Sequence, residues 1–229
     1  DVCSSDLDQL LKDSNNFVYG LARTCSIKND NYEHFYIDLS DLEAVKKVKL
    51  AAHFDAQKVV LINNAGMLGK VIPVGKREPD DIINVYNVNM ITPGLLMNEF
   101  IYAYKNITTE KIIINISSGA ARHPVESWAT YCASKAAVDM FSRVIDVEQK
   151  QHNPEKPLKI YSVAPGIVDT PMQNQIRDVK AKHFSKVDTF IKYKKENQLD
   201  KPKKTAKKII GIIKKPSKYK DIILDVREF

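Results

Sequence analysis

The chain has 229 residues, a length that suits one α/β domain with a sizeable core. Its composition, 44% apolar and 28% charged, is that of a globular protein, and no run of about 18 apolar residues is present to span a bilayer. Three irregularly spaced cysteines argue against a disulfide framework or a zinc motif. We therefore expect a cytoplasmic protein with no bound metal and no membrane partner.

The net charge of +7 comes mostly from lysine, which is densest over residues 192–215. A basic patch of this kind can bind nucleic acid or a membrane surface. These lysines, however, alternate with isoleucines at the spacing of a buried helix face. The isoleucines are Ile209, Ile210, Ile212 and Ile213. We interpret the segment as a solvated helix face and expect no nucleic-acid partner.

Apolar, β-branched segments recur along the chain and predict strands that are buried on both faces. In chain order they cover residues 17–22, 34–39, 58–63, 111–117, 159–164 and 221–226. Helical periodicity is found in most of the intervals, over residues 41–54, 80–104, 125–150 and 205–215. Strands that alternate with helices predict an α/β fold with a doubly wound parallel sheet, of the Rossmann-like kind.

The amino end departs from this pattern. Residues 8–16 resemble the tail of a helix, but no strand precedes that helix. Residues 1–7, DVCSSDL, back-translate to codons compatible with a sequencing-library adapter, so we interpret them as a non-native segment. Residues 8–229 are then expected to form a single domain that is truncated at its amino end.

Polar and glycine-containing stretches follow three of the predicted strands. They are NNAG at 63–66, SSGA at 117–120 and PGIVDT at 165–170. Any one of them could be a turn, a loop or the approach to a helix. Since open parallel sheets bind ligands beyond the carboxyl ends of their strands, the three together predict a binding site at that edge.

A tyrosine and a lysine with defined spacing accompany these stretches. Tyr131 lies thirteen residues after Ser118 and four before Lys135. Together with NNAG and PGIVDT, this spacing resembles the classical short-chain dehydrogenase/reductase family, from about Phe17 to the end of the chain. The resemblance implies an oxidoreductase in which Tyr131 is the general acid and base.

The local chemistry of Tyr131 agrees with this role. A phenol titrates near pH 10, which is too high for ready proton exchange at neutrality. Lys135 shares its helix face at i+4, and a nearby cation favours the phenolate. We therefore expect Lys135 to lower the pKa of Tyr131, and the resemblance implies that it also holds the nicotinamide ribose.

Two further polar side chains complete the expected catalytic set. Ser118 matches the serine that polarises the substrate carbonyl, and its neighbour Ser117 is expected to be structural. Asn89 resembles the asparagine that kinks its helix and holds a water of the proton relay. Asn87 competes with Asn89 by register.

The resemblance also implies contacts to the cofactor. The segment beside the adenosine ribose is matched by Asn64, Ala65 and Gly66, and the segment that cradles the nicotinamide by Pro165, Gly166, Val168 and Thr170. Asp38 matches the aspartate that meets the adenine amino group. Asp38 and Asp41 could instead close a turn or cap a helix.

The choice of cofactor depends on the end of the first predicted strand. Family members that prefer NAD place an acid there to bind the free 2′-hydroxyl. This chain has Ala22 at that position, followed by Arg23, whose planar guanidinium suits a 2′-phosphate. The expected cofactor is NADP.

The family's first strand and glycine-rich turn are not found before Phe17. The backbone amides of that turn bind the cofactor pyrophosphate at a helix start, and the strand lies centrally in the sheet. We therefore expect two unpaired strand edges. We also expect the 229-residue chain to be inactive or aggregation-prone, whereas the full-length gene product should reduce carbonyls.

The region between Pro171 and Lys201 matches the variable lid of the family, and its pattern resembles the sepiapterin reductase and benzil reductase branch. The resemblance implies NADPH-dependent reduction of a small ketone, vicinal diketone or pterin side chain. Trp128 and His123 are expected near the substrate pocket, and Asp225 stands near the position of a pterin-binding acid.

Family members associate through two long helices, here residues 80–104 and 125–150, so we expect a homodimer or homotetramer. Apolar residues compatible with such an interface, and equally with packing on the sheet, are Ile91, Leu95, Leu96, Phe100, Phe141 and Val144. The alternative function is a non-catalytic dinucleotide-sensing protein. The presence of a complete catalytic set speaks against it, since a sensor needs no proton donor.

Overall fold

The structure of the chain, a computed structural model, describes residues 7–51, 53 and 55–229. The segment interpreted as non-native, residues 1–7, lies outside the described residues apart from Leu7, which begins a helical stretch at 7–10.

Parallel strands form the centre of the molecule. They are β1 (Val18–Ala22), β2 (Tyr32–Tyr36), β3 (Lys58–Asn63), β4 (Glu110–Ile116), β5 (Lys159–Ala164) and β6 (Ile223–Asp225). Each overlaps one of the strands predicted from sequence. The largest difference is β2, which begins two residues earlier than expected and ends at Tyr36, so that Asp38 lies in the turn beyond it.

The strands form two sheets. One has the order β1-β2 and the other the order β3-β4-β5-β6, and every pairing is parallel. Within the described residues, no strand is hydrogen-bonded to the free edge of β1 or of β3. The two unpaired edges expected from the sequence are therefore present, and they divide the parallel strands into two groups.

Helices connect the strands. They are α1 (Leu42–Val45), α2 (Pro79–Tyr86), α3 (Thr92–Ala103), α4 (Ala129–His152), α5 (Pro171–Arg177), α6 (Val187–Lys195) and α7 (Pro202–Lys214). A π-helical turn, Asn87–Ile91, joins α2 to α3. None of the helices in the described part of the chain is long and apolar enough to cross a membrane.

The helix predicted over residues 41–54 is only one turn long in the structure. Asp41 caps its start, since the carboxylate accepts hydrogen bonds from the amides of Glu43 and Ala44 at 3.0 and 3.2 Å. Further along, the amide of Leu50 donates to the Glu99 carboxylate of α3 at 3.3 Å. A long-range contact therefore takes the place of a helical hydrogen bond that local periodicity alone would predict.

Strand β4 packs on both of its faces. Ile112 and Ile114 are fully buried and lie with Ile209 and Ile212 of α7 in one core cluster. Ile113 points the other way and lies with residues of α3 and α4 in a second cluster. Each buried isoleucine stabilises the fold by about 1.5–3 kcal/mol. The doubly wound α/β arrangement is confirmed, and so is the interpretation of the lysine-rich segment as a helix with one buried face.

Candidate active site

The three polar stretches lie where the sequence predicted them, at the carboxyl ends of β3, β4 and β5. Residues 63–66 end β3, residues 117–120 follow β4 and residues 165–170 follow β5. Because these strands are adjacent and parallel, the stretches lie along one edge of the sheet. The amino-terminal part of α4 carries Tyr131 and Lys135 to the same edge.

Tyr131 is almost enclosed, with 6% of its surface exposed. Burial raises the pKa of its phenol, and a hydrogen bond with the side chain of Ser118 acts in the opposite direction. The phenol therefore keeps its proton at neutral pH. A protonated phenol that contacts a serine hydroxyl is suited to donate a proton to an oxygen atom bound between them.

Ser118 lies at the start of a short 3₁₀ helix, Gly119–Ala121, that follows β4. Its hydroxyl oxygen accepts a hydrogen bond from the amide of Ala120 at 3.2 Å, which fixes the side chain. The hydroxyl hydrogen is then directed to the Tyr131 phenol, the side on which an oxygen atom bound between the two groups would receive it. Ser117 has the structural role expected of it, because its hydroxyl is buried and donates to Asp139 at 2.6 Å.

Lys135 is 5% exposed, and its ammonium donates a hydrogen bond to the carbonyl oxygen of Ile116 at 2.7 Å. The ammonium nitrogen lies 5.8 Å from the centre of the Tyr131 ring. Burial lowers the pKa of Lys135 to about 8, while the negative charge of Asp139 opposes the shift. The Lys135 ammonium thus lies beside the Tyr131 phenol, in a buried environment that makes the ammonium lose its proton more readily.

One electrostatic expectation needs correction. The sequence suggested that Lys135 would bring the pKa of Tyr131 below its ordinary value, but the pKa of Tyr131 is raised in the structure. The reason is the enclosure of the phenol, because removing a side chain from water penalises its charged form. This enclosure is a tertiary property that the spacing of the two residues does not contain.

Asn89 is buried within the π-helical turn. Its side-chain oxygen accepts a hydrogen bond from the amide of Met67 at 2.8 Å, and its side-chain nitrogen donates to the carbonyl of Met67 at 2.8 Å and to the Ser134 hydroxyl at 3.0 Å. Its rival Asn87 donates instead to the carbonyl of Ser40 at 3.1 Å. Asn89 is therefore the asparagine that joins the β3 loop to α4. π-Helical turns of this kind are frequent at functional sites.

Gly66 lies open beside these groups. A Cβ atom built on it would be 3.4 Å from the Lys135 nitrogen and 3.6 Å from the side-chain oxygen of Asn89. Asn64 is partly buried, whereas Ala65 and Gly66 are exposed. The backbone after β3 therefore offers an open surface directly next to the buried ammonium.

The stretch after β5 turns at Gly166, whose φ of +77° glycine adopts without strain and other residues rarely do. Pro165 and Gly166 are partly buried and Val168 is buried. Thr170 precedes α5, but its side chain makes no capping hydrogen bond to that helix. The Thr170 hydroxyl is thus not used in holding the start of α5.

The predicted adenine end of the site lies on β1 and β2. Arg23 is exposed just after β1, and its charge contributes to lowering the pKa of Asp38. The larger causes of that lowered pKa are hydrogen bonds from the Ser40 amide and hydroxyl, at 2.8 and 2.7 Å, to one carboxylate oxygen of Asp38. Asp38 therefore closes a turn through one oxygen and is exposed.

An aromatic cluster covers Tyr131. The Trp128 ring meets the Tyr131 ring edge-on at 5.8 Å between centres, and it stacks on Phe184 at 5.7 Å. Phe184 is fully buried, and Phe190 of α6 lies 5.8 Å from Trp128. The segment between α5 and α6 is held down by a hydrogen bond from the Ser185 amide to Glu126 at 3.0 Å.

Of the three residues expected near the substrate, Trp128 and Asp225 are buried and His123 is exposed. Trp128 is buried beside Tyr131, and its indole nitrogen has no hydrogen-bond partner among the described residues. His123 is exposed. Asp225 is buried, and Arg227 binds its carboxylate through two side-chain nitrogens at 2.9 and 2.6 Å. The Asp225 carboxylate is therefore already paired.

Asp139 was not identified from the sequence. Its carboxylate is buried and accepts hydrogen bonds from Ser117 and Ser162 at 2.6 Å each. The sequence feature that could have identified Asp139 is its position four residues after Lys135, which puts both side chains on one helix face.

A second buried network joins Asn63 to Asn115 at 2.8 Å across β3 and β4.

Comparison with known proteins agrees with this geometry. Residues 10–181 match the short chain dehydrogenase family. The benzil reductase ((S)-benzoin forming) of Bacillus subtilis (strain 168) is 32% identical over 218 residues, 93% of this chain and 88% of the relative. The same enzyme of Bacillus cereus is 34% identical over 193 residues, 81% of this chain and 76% of the relative. The chain belongs to the short-chain dehydrogenase family of oxidoreductases.

The branch within the family is also confirmed. Sepiapterin reductase of Xenopus tropicalis is 30% identical over 165 residues, which are 69% of this chain and 59% of that protein. Among solved structures, a short-chain dehydrogenase/reductase from Saccharomyces cerevisiae superposes with a TM-score of 0.84 at 25% identity, covering 98% of this chain and 91% of the other. The chain therefore lies with the benzil and sepiapterin reductases and has the family's Rossmann-like fold.

Proposed function

We propose that the protein is an NADPH-dependent carbonyl reductase that acts on small ketones or vicinal diketones. The observation that carries this proposal is the contact between the protonated Tyr131 phenol and Ser118, with the Lys135 ammonium close by. When a hydride adds to a carbonyl carbon, these three groups supply what the carbonyl oxygen requires: a proton, a hydrogen-bond donor and a nearby positive charge.

In this reaction the side chains act on the substrate oxygen. Ser118 donates a hydrogen bond to the carbonyl oxygen and so favours addition at the carbonyl carbon. As an electron pair of the C=O bond moves to oxygen, Tyr131 transfers its phenolic proton there, and the product is an alcohol. Lys135 stabilises the phenolate that remains, because its ammonium lies 5.8 Å from the ring centre.

The residues after β3 and β5 fit a nicotinamide cofactor. The space above Gly66, which a Cβ would fill, lies next to the Lys135 ammonium and suits a ribose whose hydroxyls accept hydrogen bonds from it. Asn64, Ala65, Pro165, Gly166, Val168 and Thr170 would form the rest of this surface. A bound reduced nicotinamide supplies the hydride. Solved structures with the same fold include one complexed with NADH and one with NADP+, at 20% and 18% identity.

The preference for NADP is supported by the end of β1, where NAD-preferring members carry an acid and this chain has Ala22, followed by the exposed Arg23. An exposed guanidinium there can pair with a 2′-phosphate through two parallel hydrogen bonds. Asp38 lies close enough to interact with Arg23, and its second carboxylate oxygen remains for the adenine. These cofactor roles are part of the proposal.

The substrate class is supported by the surroundings of Tyr131. Trp128 and the partly buried Phe190 bring aromatic rings beside Tyr131, a surface that suits an aryl group, and the fully buried Phe184 supports them from behind. The indole N–H of Trp128 is a buried donor without a partner in the described part of the chain, and a second carbonyl oxygen next to the reacting one would satisfy it. An aryl vicinal diketone has both features.

The proposal includes a homodimer or homotetramer built on α4. Four apolar side chains of this helix are exposed, namely Met140, Phe141, Val144 and Val147 at 61%, 42%, 47% and 63%. Leu96 and Phe100, which the sequence also left compatible with an interface, are buried in the monomer. The interface is therefore expected on α4 and on the partly buried Ile91 and Leu95. The cytoplasmic location stays a prediction.

The test is NADPH oxidation by the protein with benzil, an aryl-alkyl diketone, sepiapterin and a simple aryl ketone. We expect turnover with a diketone and a preference of at least about tenfold for NADPH over NADH, equal to about 1.4 kcal/mol. Arg23→Ser should reduce this preference, while Arg143→Ser, a change of the same type on α4, should not. Failure with every carbonyl would refute the reductase proposal, and a preference for NADH would refute the choice of cofactor.

A further inference from the structure

Asp139 is a carboxylate in the interior of the protein, with 8% of its surface exposed. One of its oxygens accepts two short hydrogen bonds, from Ser117 at the end of β4 and from Ser162 in β5, each at 2.6 Å. Burying a carboxylate is costly unless its charge is compensated. Two hydroxyls from adjacent strands hold this one at a fixed position on α4.

One turn earlier on the same helix face lies a second buried ionisable group, Lys135. Its ammonium is directed to the carbonyl oxygen of Ile116, and it makes no ion pair within 4.0 Å in the part of the chain that the structure describes. Two titratable groups of α4 interact with this ammonium: Tyr131 through its ring and Asp139 through its negative charge. From the neighbouring segments, the uncharged Gly66 lies next to the ammonium, and a Cβ built on it would be 3.4 Å from the Lys135 nitrogen and 3.6 Å from the side-chain oxygen of Asn89.

A lysine in such an enclosed place tends to lose its proton, because burial favours the neutral amine. Neutral Lys135 could not stabilise a phenolate. The negative charge of Asp139 acts against this loss, and it does so from a place that the two serines fix rather than by direct contact with the lysine. The serines thereby leave the ammonium free to face Tyr131 and the space above Gly66.

We propose that Asp139 is a positioning residue of the active site: anchored by Ser117 and Ser162, its carboxylate keeps Lys135 in the charged form beside Tyr131. The effect of the Asp139 charge on the protonation of Lys135 does not depend on the substrate. The effect of Asp139 on catalysis rests on the proposed reductase function. Asp139 itself is not expected to touch substrate or cofactor.

The direct test is the titration of Lys135 by NMR of its ε-carbon in the full-length protein without cofactor, with the signal assigned by Lys135→Gln. Asp139→Asn keeps the shape of the side chain and removes its charge. We expect the midpoint of Lys135 to move about one pH unit lower, which is the effect of removing one nearby opposite charge. Asp146→Asn, the same change further along α4 at a residue paired with Lys150, should leave the midpoint in place. Asp139→Ser serves the same test if Asp139→Asn does not fold.

Activity gives a second, separate readout. Above neutral pH, reduction should fall as Lys135 loses its proton, so in Asp139→Asn the alkaline limb of kcat/KM should move to lower pH and activity should recover toward the wild-type value near pH 6. A purely structural role would lower kcat/KM equally at all pH values and would overturn the proposal. An unchanged Lys135 midpoint would also overturn it, whatever the activity. A shifted midpoint in a protein with no carbonyl turnover would refute the reductase function and leave the charge relationship intact.

Discussion

The ammonium of Lys135 donates a hydrogen bond to the carbonyl oxygen of Ile116 at 2.7 Å. Ile116 is the last residue of β4, and Ser118 follows it by two positions. This one contact therefore joins the helix that carries Tyr131 to the strand end that carries Ser118. The relative placement of the two hydroxyl groups depends on it.

The burial of Lys135 predicts a pH dependence of stability. Below its pKa of about 8 the ammonium is charged and carries the full cost of burial. Between about 8 and the usual value of 10.5, the unfolded chain binds a proton that the folded chain has lost, so stability from this group rises with pH. In Lys135→Met the group is absent. The free energy of unfolding of the wild type relative to this variant should rise between pH 7 and pH 10, by on the order of 3 kcal/mol.

Urea unfolding of both proteins at a series of pH values measures this difference. Lys150→Met, at an exposed lysine of the same helix, is the matched control and should give curves parallel to the wild type. Parallel curves for Lys135→Met as well would mean that Lys135 is not buried as the structure describes.

We predict that Phe184 stabilises the packing of the lid, the region between Pro171 and Lys201, against Trp128 and Tyr131. It is fully buried and stacks on Trp128, so Phe184→Ala should lower the free energy of unfolding by about 3–5 kcal/mol. Tyr36→Ala, at an aromatic residue that is 74% exposed, should change it by about 0.5 kcal/mol or less. Thermal or urea unfolding compares the two, and equal effects would contradict the packing of the lid.

The space above Gly66 gives a prediction about cofactor binding. Gly66→Val places a branched side chain beside Lys135, where a Cβ alone would already approach the ammonium to 3.4 Å. The Kd for NADPH, measured by fluorescence titration, should rise at least about tenfold. Gly211→Ala is the control, because its Cβ would meet only the Tyr219 hydroxyl, at 3.9 Å in α7. An unchanged Kd in Gly66→Val would exclude this space from the cofactor site.

The exposed apolar face of α4 predicts an oligomer. Met140 and Val147 are 61% and 63% exposed, and a charge at each should weaken association without disturbing the core. Sedimentation should give a dimer or tetramer for the full-length wild type and a smaller species for the double variant Met140→Lys, Val147→Lys. A monomeric wild type would refute the proposed interface.

Much of the fold was predictable because buried parallel strands have a distinctive pattern. Both β3 and β5 begin and end where their apolar runs do. The end of the helix expected over residues 41–54 could not be predicted, since the Leu50 amide donates to Glu99, a contact with α3 that the local sequence does not encode. In the same way β2 ends early because Asp38 forms a turn with Ser40.

The residues of the site could be predicted better than their electrostatics. The resemblance of their spacing to the family's motif identified Ser118, Tyr131 and Lys135, which the structure brings together. The raised pKa of Tyr131 could not be predicted, because it comes from enclosure by Trp128 and the lid. The pairing of Asp225 with Arg227 likewise depends on the path of the chain after β6.

The most direct test of the central claim is the Tyr131→Phe variant, measured as NADPH-dependent reduction of an aryl diketone alongside NADPH binding. This variant removes only the phenolic hydroxyl. Reduction should fall at least about a hundredfold, as expected for loss of a general acid, while the Kd for NADPH stays within about twofold, a change below 0.5 kcal/mol. A variant that reduces the diketone as fast as the wild type would contradict the assignment of Tyr131 as the proton donor, and NADPH binding without turnover in either protein would favour a dinucleotide sensor.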